Sequence, residues 1–274
     1  MRVQLGEAAL AELRTATGLV PLNDGGAAAF LPAFPALARD VETIRQERIA
    51  NPPGFCIIEG AGLQGLAEEA RPGAYLLIAR MLGSLLKQNA AGDRIVEVFD
   101  RGQPLEAGGR YHQTAASGVL HSDSPQWPDV PDYVALLCVR AAKRGGASKF
   151  INGYSVLKRL QDRVPDLVDE LYGAFLFDKR GDFIAGEPPV TPAPIFRWQD
   201  GELHFRYLRA YIDSGHRLQN VPLTERQARA LDALDAVLQE EDLVLTEAMA
   251  PGDIQILNNH FVVHDRWPFE DDAD

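Results

Sequence analysis

A His-x-Asp pair, His121-Ser122-Asp123, and a further histidine, His264, 143 residues downstream constrain this chain more than any other feature. Two imidazoles and one carboxylate are the minimum for a 2-His-1-carboxylate facial triad. Such a triad grips one face of a non-haem Fe(II) and leaves the opposite face open. On a strand, residues 121 and 123 point to the same side, so a single strand end can offer both donors. The third donor has to come from far along the chain. A strand-like run begins after Pro251-Gly252-Asp253 and leads to His264. An antiparallel core brings such a run beside an earlier strand.

The hydrophobic pattern suits such a core. Phe34 to Ile49 has the apolar spacing of a helix, Gly54 to Glu59 reads as a short buried strand, and Leu66 to Leu86 reads as helix broken or begun at Pro72. From Arg94 short strands dominate: Ile95 to Phe99, Tyr133 to Val139, Lys149 to Ile151, Ala174 to Phe177, Ile195 to Trp198, Leu203 to Tyr207, Leu243 to Glu247 and Ile254 to Leu257. Asp200-Gly201 suits a tight hairpin turn. Val156 to Leu171 reads as helix divided at Pro165. Thr224 caps a helix running to Glu240, with Gln227 at the third position. The expected fold is mainly β with flanking helices and a double-stranded β-helix (jelly-roll) core. It forms one domain over 1–274: a helical N-terminal part to about 92, then the core, with a helical insertion over about 155–241.

Charge narrows the partners. A formal net charge of −12 disfavours nucleic acid and anionic membrane, which attract basic patches. Cys56 and Cys138 lie in apolar runs and read as buried free thiols of a reducing compartment. The N-terminus lacks the apolar core of a signal peptide. The longest apolar stretch, Gly73 to Leu86, is interrupted by Arg80 and is too short to span a bilayer. A cytoplasmic protein acting on a small molecule is expected; oligomeric state is not readable.

A His-x-Asp alone is common by chance, so its surroundings decide. Gly118-Val119-Leu120 precedes it, and Asp132 to Val139 follows as a strand. Gly145-Gly146-Ala147-Ser148 comes next. Near the end stand Pro251-Gly252-Asp253, Asn259, His264 and Arg266. This order resembles the Fe(II)/2-oxoglutarate dioxygenases of the taurine dioxygenase and clavaminate synthase-like superfamily, over more than half the chain. The resemblance implies His121, Asp123 and His264 as iron ligands. It puts Ser148 where a hydroxyl residue bonds the distal carboxylate of 2-oxoglutarate, and has Asn259 shaping its turn or bonding near the distal histidine. The family's anchoring arginine lies some ten to fifteen residues beyond that histidine, so it is expected past Asp274 or replaced. Arg266 is the substitute candidate.

Several residues near the motif are weighed as substrate contacts: His112, Trp127, Arg206, Tyr207, Arg209 and His260. Each also has a structural reading. Trp127 lies in a proline-rich loop that could cover the site. Arg206 or Arg209 could hold an acidic group, or simply form a salt-bridged strand face. His260 reads as structural or substrate-contacting more than as a ligand. His204 and His216 read as structural.

The implied reaction uses Fe(II), 2-oxoglutarate and O2 to hydroxylate, desaturate or cyclise at an unactivated C–H bond. The substrate would be a small polar amino-acid-like or natural-product intermediate. Halogenases of the family lack the carboxylate, so Asp123 argues for oxygenation. A catalytically silent jelly-roll binding protein is the alternative.

Overall fold

Phe55, Cys56, Ile57 and Ile58 are all buried, so this strand has protein on both faces. In the computed structural model, which describes residues 1–16, 31–60, 63, 66, 70–88, 92–99 and 118–271, it is the second strand, β2 (Phe55–Ile58). It lies between β1 (Arg2–Val3), which it meets in parallel, and β11 (Ile254–Asn258), which it meets antiparallel. Beyond β11 comes β3 (Tyr133–Leu137). Strand alternation sorts the side chains. Cys56, Ile58, Ile254 and Ile256 face three helices, α1 (Glu7–Thr15), α2 (Pro35–Ile44) and α3 (Arg71–Leu82). Phe55 and Leu257 face the other way.

There they meet a second sheet of β10 (Leu245–Glu247), β5 (Ser148–Asn152) and β12 (Val262–Arg266). Phe55 stacks on Phe150 with ring centroids 4.1 Å apart, and Leu257, Phe261 and Val262 complete the layer. Alternation then turns Ile151 and Val263 to the reverse face of this sheet, where a third apolar cluster lies. Its other side comes from the residues between β5 and β10. These are α4 (Gly153–Arg163), α5 (Pro165–Val168), the hairpin β6 (Ala174–Asp178) and β7 (Val190–Pro194), the hairpin β8 (Phe196–Gln199) and β9 (Glu202–Phe205), α6 (Arg209–Leu218) and α7 (Glu225–Leu238). A short antiparallel pair, β4 (Arg144–Gly145) with β13 (Phe269–Glu270), forms a separate two-stranded sheet.

Several sequence expectations hold in detail. Pro165 divides α4 from α5. Thr224 caps α7 in a reciprocal capping box with Gln227. Asp200 and Gly201 adopt φ of 53° and 84° between β8 and β9, as a tight turn of the I′ kind requires. Others do not hold. Ile95 to Phe99 forms no strand; it runs from half-buried at Ile95 to exposed at Phe99, so it lacks the apolar face that a strand needs. The helix expected over 66–86 is shorter, Arg71–Leu82, although it does begin around Pro72 as expected, since that residue sits in the first turn where no N–H is needed. Arg209 opens a helix and does not extend β9. Cys138 is only half-buried, while Cys56 is buried and its thiol pushed up to about 12 by desolvation. No helix among the described residues is long and apolar enough to cross a membrane.

Helix α6 packs directly on β6, and the contact requires Gly215. A Cβ there would lie 2.1 Å from the Leu176 carbonyl oxygen. Gly215→Ala should therefore destabilise the fold by about 1–3 kcal/mol, the usual cost of overpacking. A urea midpoint unchanged from the parent would refute the packing described here.

Candidate metal centre

His264 lies mid-strand in β12, opposite Phe150 of β5. On its other side it pairs with His121. The His121 N–H donates to the His264 carbonyl at 3.1 Å, and the His264 N–H to the His121 carbonyl at 2.9 Å. This is the hydrogen-bonded pairing of an antiparallel ladder. Side chains directly opposed in such a pair leave the sheet on the same side, and the two imidazoles stand 4.9 Å apart between centroids.

Asp123, two residues on, joins them. Its Oδ1 is 3.6 Å from His121 Nε2 and its Oδ2 is 4.0 Å from His264 Nε2. These gaps exceed an ordinary hydrogen bond. They suit two ligands that each sit roughly 2.0–2.2 Å from one transition-metal ion. One donor atom from each residue lies within 4.8 Å of the others.

The protonation states favour ligation. His121 Nδ1 is 2.7 Å from the Val119 carbonyl, which can only accept, so in the neutral ring the proton sits on Nδ1 and Nε2 offers its lone pair. Burial opposes charging His121, yet the Asp123 carboxylate, helped by the Val119 carbonyl and Asp265, outweighs it and leaves the pKa above its usual value. For His264 burial wins. The Asp123 attraction does not offset it, His121 adds repulsion, and the pKa falls to about 4. His264 is thus neutral at physiological pH. Its Nδ1 is buried without a hydrogen-bond partner among the described residues. A neutral imidazole bordering a carboxylate fits a cation better than a dry pocket. The donor set, two nitrogens and one hard oxygen, suits Fe(II).

The segment carrying Asp123 is held by its main chain. Asn259 Oδ1 accepts from the Asp123 N–H at 2.8 Å, and Asn259 Nδ2 donates to the Asp123 and Pro131 carbonyls at 3.0 Å each. Asn259 therefore secures the segment that carries Asp123; its side chain makes no bond to the distal histidine. Ser122 and Tyr207 exchange two further bonds, Ser122 N–H to Tyr207 O and Tyr207 N–H to Ser122 Oγ, each 2.9 Å. On the far face of β12, Asp265 accepts from Lys149 Nζ at 2.6 Å and from the Gly118 N–H at 3.1 Å.

Ser148 and Arg266 are register partners across β5 and β12, two residues along from Phe150 and His264. Both lie on the sheet face that bears His264. Ser148 is buried, and the Arg266 guanidinium lies 4.6 Å from the centroid of the Phe269 ring. The loop after Asp123 is tethered at several points. Arg206 donates to the carbonyls of Pro125, Trp127 and Pro128 at 3.0, 2.9 and 3.2 Å, and the Trp127 indole N–H donates to Asp182 at 2.7 Å.

Tyr207 points elsewhere. Its ring is in the core of the insertion and its hydroxyl donates to Asp235. Arg209 is shared among Asp213, Asp232 and Asp235. Neither side chain is gathered with the three donors. His260 bonds Asp132 at 2.7 Å and its ring lies 4.4 Å from that of His204. His216 is structural, as expected, bonded to the Leu176 N–H and the Val221 carbonyl. His112 lies outside the described residues.

The family model for the taurine catabolism dioxygenase TauD, TfdA family matches residues 31–274. The chain belongs to this family. FR-33289 synthase of Streptomyces rubellomurinus is 29% identical over 230 residues, covering 83% of this chain and 66% of that protein. This chain thus spans just under two thirds of that relative's length. L-asparagine oxygenase of Streptomyces coelicolor is 26% identical over 258 residues, covering 86% of this chain and 72% of that protein. Among solved structures, asparagine oxygenase in complex with Fe(II), 2S,3S-3-hydroxyasparagine and succinate superposes with a TM-score of 0.76 at 23% identity. It covers 100% of this chain and 89% of that one. The likeness is of fold: mixed sheets with helices. The sequence resemblance to this dioxygenase family is therefore borne out.

Two measurements test the centre. The Asp123 carboxylate raises the His121 pKa above its ordinary value against burial, so a proton competes with a cation for this ring. Ferrous affinity should therefore rise with pH as His121 loses that proton. Anaerobic titrations at several pH values check this; an affinity that does not change with pH would refute the assignment. Asn259→Ala should weaken metal binding by roughly 10–100-fold while the chain stays folded, the usual effect of losing a group that orients ligands. Unchanged affinity in an anaerobic titration would show that Asp123 needs no such support.

Proposed function

We propose that this chain is an Fe(II)- and 2-oxoglutarate-dependent oxygenase that hydroxylates, desaturates or cyclises at an unactivated C–H bond. The observation that carries this is the backbone bridge presenting His121 and His264 side by side with Asp123, in a chain of the TauD, TfdA family. His121, Asp123 and His264 are the iron ligands of this reading. Iron bound there supplies O2 activation coupled to conversion of 2-oxoglutarate into succinate and CO2.

The protein's part is binding and aim. Ser148 and Arg266 hold the distal carboxylate of 2-oxoglutarate, the hydroxyl as donor and the guanidinium as a planar fork that stays charged. Their support is the shared face with His264. Asp123 fills the third ligand position, which favours oxygenation over halogenation. The tethered loop bearing Trp127 excludes water from one flank. The two facing sheets read as the jelly-roll core of one domain, with the N-terminal helices outside one sheet and the insertion outside the other.

The substrate class we infer is a small polar amino-acid-like or natural-product intermediate. It is supported by relatives named for asparagine oxygenation and for FR-33289 synthesis. Chain charge and the absence of any spanning helix among the described residues fit a cytoplasmic enzyme acting on a diffusible molecule. Nothing at the site favours a catalytically silent binding protein.

Anaerobic addition of Fe(II) and 2-oxoglutarate should give a visible metal-to-ligand charge-transfer band. His121→Ala should abolish both the band and oxygen-dependent succinate formation. Intact protein that shows neither sinks the reading.

A further inference from the structure

Ser122 alternates to the side of its strand opposite His121 and Asp123, and there it borders a cavity of about 250 Å³. None of the three metal donors lines this cavity. Its charged wall is one face of the β8–β9 hairpin. Arg197 and His204 are direct register partners, so their side chains share a side, and Arg206 follows His204 by alternation. Phe196, Leu203, Phe205 and Tyr207 take the other side and are buried in the core. The His260 ring closes against His204.

This face has positive charge without contacting counter-charge. Arg206 spends its hydrogen bonds on three neutral carbonyls. No carboxylate contacts Arg197 or Arg206 among the described residues, although acids pair with Arg2, Arg45, Arg159, Arg209 and Arg226. The nearby acids are Asp132, bonded to His260, and Asp129, which acts on Arg206 only at a distance. Burial first, then Arg197, makes the Arg206 charge harder to hold. Burial, His260 and both arginines hold His204 down to about 4, so it stays a neutral N–H donor. Arg206 is only partly exposed, so its charge gains from an anion that meets it there.

We propose that this cavity binds a tetrahedral oxyanion of the phosphate or sulfate type, free or as the end group of a small organic molecule. Arg197, His204 and the Arg206 N–H groups not taken by the three carbonyls share one wall, and donors from separate residues suit four oxygens better than the two of a flat carboxylate. Val130, Pro192 and Pro194 supply an apolar wall for an organic remainder. The volume lies just under the roughly 300–1,000 Å³ of drug-sized pockets, which suits a small metabolite. Because Arg206 also ties down Pro125, Trp127 and Pro128, the bound oxyanion stiffens the loop behind Asp123.

The test titrates sulfate by calorimetry, at constant ionic strength, into protein loaded anaerobically with Fe(II) and 2-oxoglutarate. Saturable binding is expected. Arg197→Ala, at an exposed position, should weaken it at least tenfold, while Arg217→Ala, exposed on α6, leaves it unchanged. Phenylphosphonate run in parallel separates the sources: equal affinity assigns a free anion, and at least tenfold tighter binding assigns an organic one. The charge-transfer band should not move. Absence of saturation, indifference to Arg197→Ala, displacement by 2-oxoglutarate or a changed band would each overturn the proposal. Sulfate binding that persists in protein showing no band would count against the iron reading alone.

Discussion

The reciprocal pair of backbone hydrogen bonds between His121 and His264 is the constraint on which the rest of the centre depends. Two bonds of 3.1 and 2.9 Å bring together residues 143 positions apart and set both rings on one side of the sheet. Neither histidine adopts a positive φ to reach the other. The cost of this economy is topological, since β12 and the His121 segment must come back into register from opposite ends of the core. Long-range pairings of this kind pay their loop-closure entropy before any contact rewards it. The apolar layers on both faces of the β5–β12 sheet provide that reward, through Phe150 and Val262 inside and Ile151 and Val263 outside.

Charge around the centre is arranged by side of the strand. The face with His264 meets Asp123. The reverse face carries Asp265, whose carboxylate is neutralised by Lys149 and by the Gly118 N–H. A buried ion pair adds little net stability when intact, but losing one partner is costly. Here it also fixes residue 118, three positions before His121, so that the strand enters the bridge at a defined height.

Much of the centre was legible in the sequence because its chemistry is local. His-x-Asp encodes a shared face through the two-residue period of a strand, and the order of flanking motifs encodes the family. The Asp200-Gly201 turn, the Pro165 break and the Thr224 cap were legible for the same reason, each being a property of a few adjacent residues. What escaped was set by tertiary context. The sequence Arg209–Leu218 follows β9 after three residues and holds an internal Gly215, which obscures a helix; in the fold it turns Ile212, Gly215 and His216 inward, with Gly215 against β6. Val190–Pro194 holds two prolines and still pairs as β7, at the edge of a two-stranded hairpin. The positions of Arg206 and Arg209 followed from where β9 stops, and alternation alone does not supply that.

The clamp by Asn259 separates the route of the main chain from the identity of the side chain at 123. The peptide groups on either side of that Cα are gripped by an amide from the turn between β11 and β12, so the path is drawn without the carboxylate. Exchanging the acid for a longer, shorter or absent one would leave both imidazoles on their bridge. A scaffold built this way would let the side chain at 123, and with it the donor set facing the two imidazoles, change without redrawing the fold.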